Sequence, residues 1–321
     1  MTSAFALVEW NRLISEGVSN RLIPVPFVAL PMPDPEKVLA LVRRATGLFR
    51  TTPGRSGGVV TIEPGAASDV MVVGDLHGNI PAFKRVLEAA ALGRNLKRHL
   101  VLQELVHGTR MYPGEDKGER SHQLVDLVCA LKCQFPDRVH LILGNHELSE
   151  LTGRSIGKNG VALNALFRQG VDTAYGDHSQ AIYDAYLGLF AALPVIVRTP
   201  NRVLLCHTIP DGVELDGIDL GVLTLDTWPP EAMKRHGTVY VMTWGRDTEP
   251  ETIDRFAAMI DADWFVTGHQ PCDDGFRQAN HRQIIIDGTD PYPAYCLFPA
   301  ETPVTVESLL AGVRTMARSV D

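Results

Sequence analysis

Runs of apolar residues that stop abruptly at glycine-centred polar clusters punctuate this chain. Val70-Met71-Val72-Val73 has the length and character of a buried strand, and it ends in Gly74-Asp75-Leu76-His77-Gly78-Asn79. His140-Leu141-Ile142-Leu143 repeats the design and ends in Gly144-Asn145-His146-Glu147. Residues 100–103, 202–206 and 264–267 predict three further strands, the last two stopping at His207 and at Gly268-His269. Between these runs the apolar spacing becomes helical. Val38, Leu39, Leu41, Val42 and Leu48 recur every three or four residues over 36–49, and the break at 53–58 follows. Asn79 is placed to cap a helix with Pro81 in its first turn, a stripe of Ile80, Phe83, Val86, Leu87 and Ala90, and a stop at Gly93. Helices are also expected over 124–131, 181–193 and 251–260. Ahead of these, Phe5-Ala6-Leu7-Val8 with Trp10 suggests a short amphipathic helix, and five prolines from Pro24 to Pro35 mark an irregular linker. The chain therefore divides into an N-terminal extension, 1–35, and one large domain, 36–321. Strands alternate with helices through the middle and crowd the C-terminal half, which points to a layered α/β sandwich rather than a purely parallel sheet.

Composition narrows the picture little. With 321 residues and 45% hydrophobic content the chain can bury a substantial core. A formal charge of −8 argues against a generic polyanion-binding surface, so no nucleic-acid partner is expected. The five cysteines form no C-x-x-C pair and sit mostly in apolar contexts, which fits a reducing compartment. The first residues lack the basic head and unbroken apolar core of a secretory signal, and no apolar run is long enough to span a bilayer. A cytoplasmic protein with no membrane partner is the expectation.

The strand ends carry the chemistry. Asp75 with His77, Asn145 with His146, His207 and His269 form a mixed set of nitrogen and oxygen donors without thiolate, which suits a catalytic pair of divalent ions better than a structural zinc site. Two ions roughly 3.5–4 Å apart need a carboxylate that bridges them. A further bridging acid is therefore expected.

The order of these motifs, Gly-Asp-Leu-His-Gly at 74–78, Gly-Asn-His-Glu at 144–147, His207 after a strand and Gly-His-Gln at 268–270, resembles the phosphoprotein phosphatase branch of the calcineurin-like metallophosphoesterases over about 36–300. Phe190-Ala191-Ala192-Leu193-Pro194 and Asp274-Gly275-Phe276 add to the likeness, and Tyr295-Cys296 is similar to the family's C-terminal active-site tyrosine loop. The resemblance implies an α/β/β/α sandwich of mixed sheets with flanking helices, two metal ions (manganese, iron or zinc), and ligands Asp75, His77, Asn145, His207 and His269. It also implies that His146 is the acid that protonates the leaving group.

The departure lies where the family writes Gly-Asp-x-Val-Asp-Arg-Gly. Here the strand ending at residue 103 is followed by Glu104, and Asp116-Lys117-Gly118 comes only a dozen residues later. Glu104 is read as the bridging ligand in place of aspartate, Asp116 as the carboxylate that orients His146, and Lys117 as standing where the family has a phosphate-binding arginine. A lysine lacks the planar fork of arginine, and Arg154, Arg235 and Arg246 are candidates to make up the difference. His107, three residues beyond Glu104, falls where an ungapped alignment would put the orienting acid, and is open to reading as an added ligand or phosphate contact. The resemblance implies a metal-dependent phosphoesterase acting on phosphorylated serine or threonine in proteins. Small phosphoesters or dinucleoside polyphosphates are the alternative substrates, and a catalytically silent scaffold of the same fold is the alternative from another class.

Overall fold

The computed structural model describes residues 34–316 apart from 115, 116 and 159, so the expected helix around Phe5 and the role given to Asp116 lie outside the described residues. The strands in chain order are β1 (Arg55–Ser56), β2 (Val59–Thr61), β3 (Asp69–Val73), β4 (Arg98–Gln103), β5 (Val139–Ile142), β6 (Gly157–Lys158) and β7 (Val161–Ala162). They continue with β8 (Ile196–Arg198), β9 (Val203–Cys206), β10 (Trp264–Thr267), β11 (Phe276–Gln278), β12 (Gln283–Ile286), β13 (Ala294–Pro299) and β14 (Val313–Thr315). The α-helices are α1 (Pro35–Arg50), α2 (Ile80–Ala90), α3 (His122–Gln134), α4 (Asn145–Thr152) and α5 (Leu163–Tyr175). Then follow α6 (Ser179–Phe190), α7 (Thr238–Trp244), α8 (Pro250–Ile260) and α9 (Val306–Ala311).

Two sheets face each other. One has five strands in the order β14-β13-β3-β4-β5, with β3, β4 and β5 parallel and β13 antiparallel to β3. The other has seven, β1-β2-β8-β9-β10-β12-β11, of mixed direction. The period of two along each strand explains the layering. Val70 and Val72 of β3, Val101 of β4, Val203 and Leu205 of β9 and Val266 of β10 share one apolar cluster, which is the seam between the sheets. Their neighbours Met71, Val73, Leu100, Leu102, Leu204, Cys206 and Phe265 turn the other way and pack with the helices. A run of four apolar residues is thus a strand covered on both faces, as expected of a sheet held between layers.

Local chemistry sets the helix ends. Asp34 caps α1 by accepting from the amides of Glu36 and Lys37, and Val38, Val42, Ala45 and Phe49 line its buried stripe. Asn79 caps α2 through the amide of Ala82. That helix stops at Ala90, three residues before Gly93, because Ala91 takes the left-handed conformation at φ 42°. The helix expected over 181–193 ends at Phe190, and Ala191 to Leu193 turn into Pro194, whose carbonyl accepts from Leu143 and ties this turn to the end of β5. Among the described residues no helix is long and apolar enough to cross a membrane.

Candidate metal centre

The loops that follow β3, β4, β5, β9 and β10 meet at one edge of the two sheets. The first two are stitched together by backbone bonds, since the amides of Leu76 and His77 both donate to the Glu104 carbonyl at 2.9 and 3.0 Å, and Gly78 donates to Leu105. Glu147 reinforces the second loop from below, its Oε1 accepting from the amides of Leu105 and Val106. Four residues here that are not glycine, His77, Glu104, His107 and His269, hold φ between 41 and 67°. Backbone in that region costs free energy, and such residues persist where the surrounding bonds hold them and the side chain serves the site.

Glu104 stands at the centre, 1% exposed. Its carboxylate belongs to two groups of potential ligands whose donor atoms lie within 4.8 Å of one another, one with His77 and His146, the other with His207 and His269. Glu104 Oε2 lies 3.2 Å from His207 Nε2 and 3.7 Å from His77 Nε2, and Oε1 accepts from the His146 amide at 2.8 Å. His207 Nε2 also faces Asn145 Oδ1 at 2.9 Å and His269 Nδ1 at 3.2 Å, and Asp75 Oδ1 lies 3.7 Å from His207 Nδ1. All six residues read from the sequence as ligands, Asp75, His77, Glu104, Asn145, His207 and His269, are therefore neighbours in space.

The rings are oriented from behind. His77 Nδ1 lies 2.9 Å from the Val106 carbonyl, so it carries the proton and leaves Nε2 toward Glu104. Gln103 accepts from His207 Nδ1 at 3.2 Å and donates to the Val73 carbonyl at 3.0 Å, which turns His207 Nε2 inward. In the sequence Gln103 is only the last residue of a strand, and its one signal is that of a polar residue closing an apolar run.

Two observations show that this donor set fits cations. Asp75 Oδ1 and His269 Nε2 are buried polar atoms with no hydrogen-bond partner, an arrangement that proteins avoid unless another group completes it. Glycines also hold the cradle open: a Cβ on Gly268 would come within 2.3 Å of Asp75 Oδ1, and one on Gly144 within 2.8 Å of a Glu104 oxygen. The electrostatics agree. Burial, with Glu104 and Asp287 adding like charge, pushes the Asp75 carboxyl well above its ordinary range. Burial alone would raise Glu104 too, but the facing imidazoles of His207, His146 and His77 hold it well below. His207, which burial alone would lower, is raised to about 9 by Glu104 and Asp75, whereas burial drives His146 to about 3 and His269 to about 2. Two carboxylates are buried together here, and His207 is raised toward its charged form while His146 and His269 are lowered away from theirs.

The remaining candidates are spread more widely. Arg246 is exposed, yet its charge is felt at His269, and its carbonyl accepts from Gln270. Arg154 lies over the stacked rings of Tyr240 and Trp244 at 5.0 and 5.1 Å, and Trp244 reaches to 6.5 Å from His269. Tyr295 sits in β13 opposite Val73 and packs partly against the core. Lys117 and Arg235 are exposed, and among the described residues neither bonds to the cluster. Lys117 instead accepts through its carbonyl from Thr173.

Comparison with known proteins follows the same lines. The family model described as calcineurin-like phosphoesterase matches residues 68–273. The relative called "Probable serine/threonine-protein phosphatase" from Encephalitozoon cuniculi is 29% identical over 244 residues, 68% of this chain and 46% of that protein. The serine/threonine-protein phosphatase PP2A-like PPG1 of Saccharomyces cerevisiae is 27% identical over 241 residues, 68% of this chain and 59% of that protein. The match thus spans about half the length of these relatives. Among solved structures, a protein serine/threonine phosphatase from Saccharomyces cerevisiae with similarity to human phosphatase PP5 superposes with a TM-score of 0.67 at 17% identity, covering 100% of this chain and 98% of that one. A cold-active protein tyrosine phosphatase of a Shewanella species reaches 0.53 at 14% identity, over 83% of each chain. These structural likenesses speak for the fold.

Proposed function

Because the chain belongs to the calcineurin-like phosphoesterase family, we propose that it is a metal-dependent phosphatase acting on phosphorylated serine or threonine in proteins. The observation that carries the reading is the Glu104 carboxylate shared between two donor groups. We assign Asp75, His77 and Glu104 to one ion and Glu104, Asn145, His207 and His269 to the other. Nitrogen and oxygen donors without thiolate favour manganese, iron or zinc. Bound there, a pair of such ions supplies Lewis-acid polarisation of phosphoryl oxygens and a lowered pKa for water.

The chain's own residues do the rest. Water attacks phosphorus in line as the P–O ester bond breaks on the opposite side. The departing oxygen takes a proton from His146, and the attacking water restores that proton, so alcohol and phosphate leave and the histidine ends as it began. Arg154, which lies over the Trp244 ring beside His269, and Arg246, whose charge is felt at His269, are assigned to the phosphate oxygens. A protein substrate is supported by the named activity of the curated relatives. The net charge gives no support to a nucleic-acid partner. Cytoplasmic location is part of the same proposal, supported by five cysteines that are all free thiols.

Turnover of a phosphoserine peptide, a phosphotyrosine peptide and a dinucleoside tetraphosphate with manganese added tests the substrate class. The phosphoserine peptide is expected to be the best of the three, with activity abolished in Asn145→Ala. Faster turnover of the dinucleotide would overturn the substrate assignment, and an inert wild type holding two ions would overturn the enzyme reading.

A further inference from the structure

His146 is held by His107, which stands where an ungapped alignment puts the orienting acid. Its Nδ1 lies 2.8 Å from Nδ1 of His107, and His107 Nε2 lies 2.7 Å from Glu150 Oε1. Glu150 in turn accepts from Asn164 Nδ2 at 2.7 Å through the same oxygen and from the Tyr183 hydroxyl at 2.6 Å through the other. The His107 and Glu150 side chains are wholly buried. The four supports come from four places: the loop after β4, then α4, α5 and α6. Phe167 of α5 closes over the His107 ring at 6.0 Å, edge to face.

The far end of this line gives the bonds to Glu150 their direction. Asn164 and Tyr183 both donate, so Glu150 is the acceptor for them and for His107 as well. His107 Nε2 then carries a proton, and with one proton on the ring its Nδ1 is left as a lone pair. The proton in the 2.8 Å contact accordingly sits on His146 Nδ1. His146 is left with Nε2 as the nitrogen that carries the second, transferable proton when the ring acts as the acid, and its ring lies 4.8 Å from His77 beside the Glu104 carboxylate. The backbone of His107 also bears the mark of a side chain that is required, at φ 64° for a residue with a Cβ.

We propose that His107, fixed by Glu150, is the positioning residue that sets the tautomer and orientation of His146, so that a histidine–glutamate pair does here what a single carboxylate does when it contacts such a histidine directly. The inference rests on the proposed role of His146 as the proton donor to the leaving group. His107 touches neither substrate nor phosphorus and acts only through the second ring. Orientation by a third group is what keeps an acid–base histidine in one tautomer, and its loss weakens the proton transfer rather than the binding of phosphate.

The test compares leaving groups. Aryl phosphates such as p-nitrophenyl phosphate release an oxygen that needs no proton, whereas a phosphoserine peptide releases an alkoxide that does. His107→Ala is expected to lower kcat on the peptide about 10²-fold with KM little changed, and to lower kcat on the aryl phosphate by less than about 3-fold. Glu150→Gln should move both in the same direction by less. Equal losses on both substrates, or no loss on either, would overturn the positioning role. A second measurement does not depend on turnover. In ¹⁵N-histidine NMR of the metal-loaded wild type, His146 Nδ1 should be the protonated nitrogen and should show coupling across the hydrogen bond to His107 Nδ1. An unprotonated Nδ1 would overturn the inference even if the enzyme proved active on every ester tried. A protonated Nδ1 in a protein with no phosphatase activity would uphold the relay while the function assigned to the site failed.

Discussion

Gly268→Ala is the substitution whose consequence can be worked most completely from the geometry. The added Cβ would stand 2.3 Å from Asp75 Oδ1 and 2.8 Å from the Gln103 side-chain amide, about 1 Å short of an ordinary contact with the carboxylate. Gly268 has no positive φ, so the cost is steric and not conformational. Asp75 cannot easily yield, because its other oxygen accepts from the His269 amide at 2.8 Å; Gln103 cannot yield without releasing His207 and Val73. The strain falls on proposed ligands of both ions. A misplacement of about 1 Å at a reacting centre is worth about 10²-fold in rate, and disturbance of the supports around a metal costs about 10–100-fold in affinity. Elemental analysis after dialysis, with turnover of an aryl phosphate on the same sample, reads both. The expected result is loss of at least one equivalent of metal and a fall in kcat of about 10²-fold. Gly47→Ala on α1, where an added Cβ meets nothing within 4 Å, is the control, and it should be neutral or stabilising by up to about 1 kcal/mol. A Gly268→Ala protein with two ions and wild-type turnover would refute the idea that these glycines keep the cradle open.

Other outcomes follow from single residues. Asp126 is half-buried, and desolvation raises its carboxyl to about 7 despite hydroxyl donors from Tyr175 and Tyr186. The folded state therefore binds this proton more tightly than the unfolded chain. The associated stability is complete below about pH 4 and is lost as pH rises through about 7, a swing on the order of 4 kcal/mol. Asp126→Asn should remove that swing, so chemical denaturation at pH 5 and pH 8 should show the variant gaining on wild type at the higher pH; a constant difference between them would contradict it. Phe83→Ala empties a fully buried site among the helices and should cost about 3–5 kcal/mol of unfolding free energy, read from a urea midpoint at unchanged slope. Arg154→Ala takes the guanidinium off the Tyr240 and Trp244 rings and is expected to raise KM for phosphopeptide several-fold with kcat within about 3-fold; an unchanged KM would remove Arg154 from the binding surface.

The strands that could be read were those covered on both faces. Val70 to Val73 and Trp264 to Val266 are unbroken apolar runs because each lies between a helix layer and the opposing sheet. Three-residue strands such as β2, β8 and β11 present too few alternations to be recognised, and their place is fixed by neighbours far along the chain. Helix α4 was hidden for another reason: a stretch beginning Asn-His-Glu has no apolar stripe, and it is helical because Asn145, Glu147, Leu148, Ser149 and Glu150 are all buried against the site. The six donors that meet around Glu104 could be named from strand ends, since topology delivers the carboxyl ends of parallel strands to one edge. Glu150 could not. Three residues beyond Glu147 on a polar helix, it reads as a solvated charge, and only the packing of α4 against α6 shows that it faces Tyr183 and His107. The spacing of His107 from Glu104 points to the place of the orienting acid, and the contact with His146 distinguishes that place from an added ligand or a phosphate contact.

Anomalous diffraction from a crystal of the manganese-loaded protein, collected at the metal edge, bears most directly on Glu104 as the shared ligand of two ions. Two peaks about 3.5–4 Å apart are expected, with the Glu104 carboxylate between them, Asp75 and His77 on one side and Asn145, His207 and His269 on the other. A single peak, or two peaks with Glu104 bound to neither, would contradict the account.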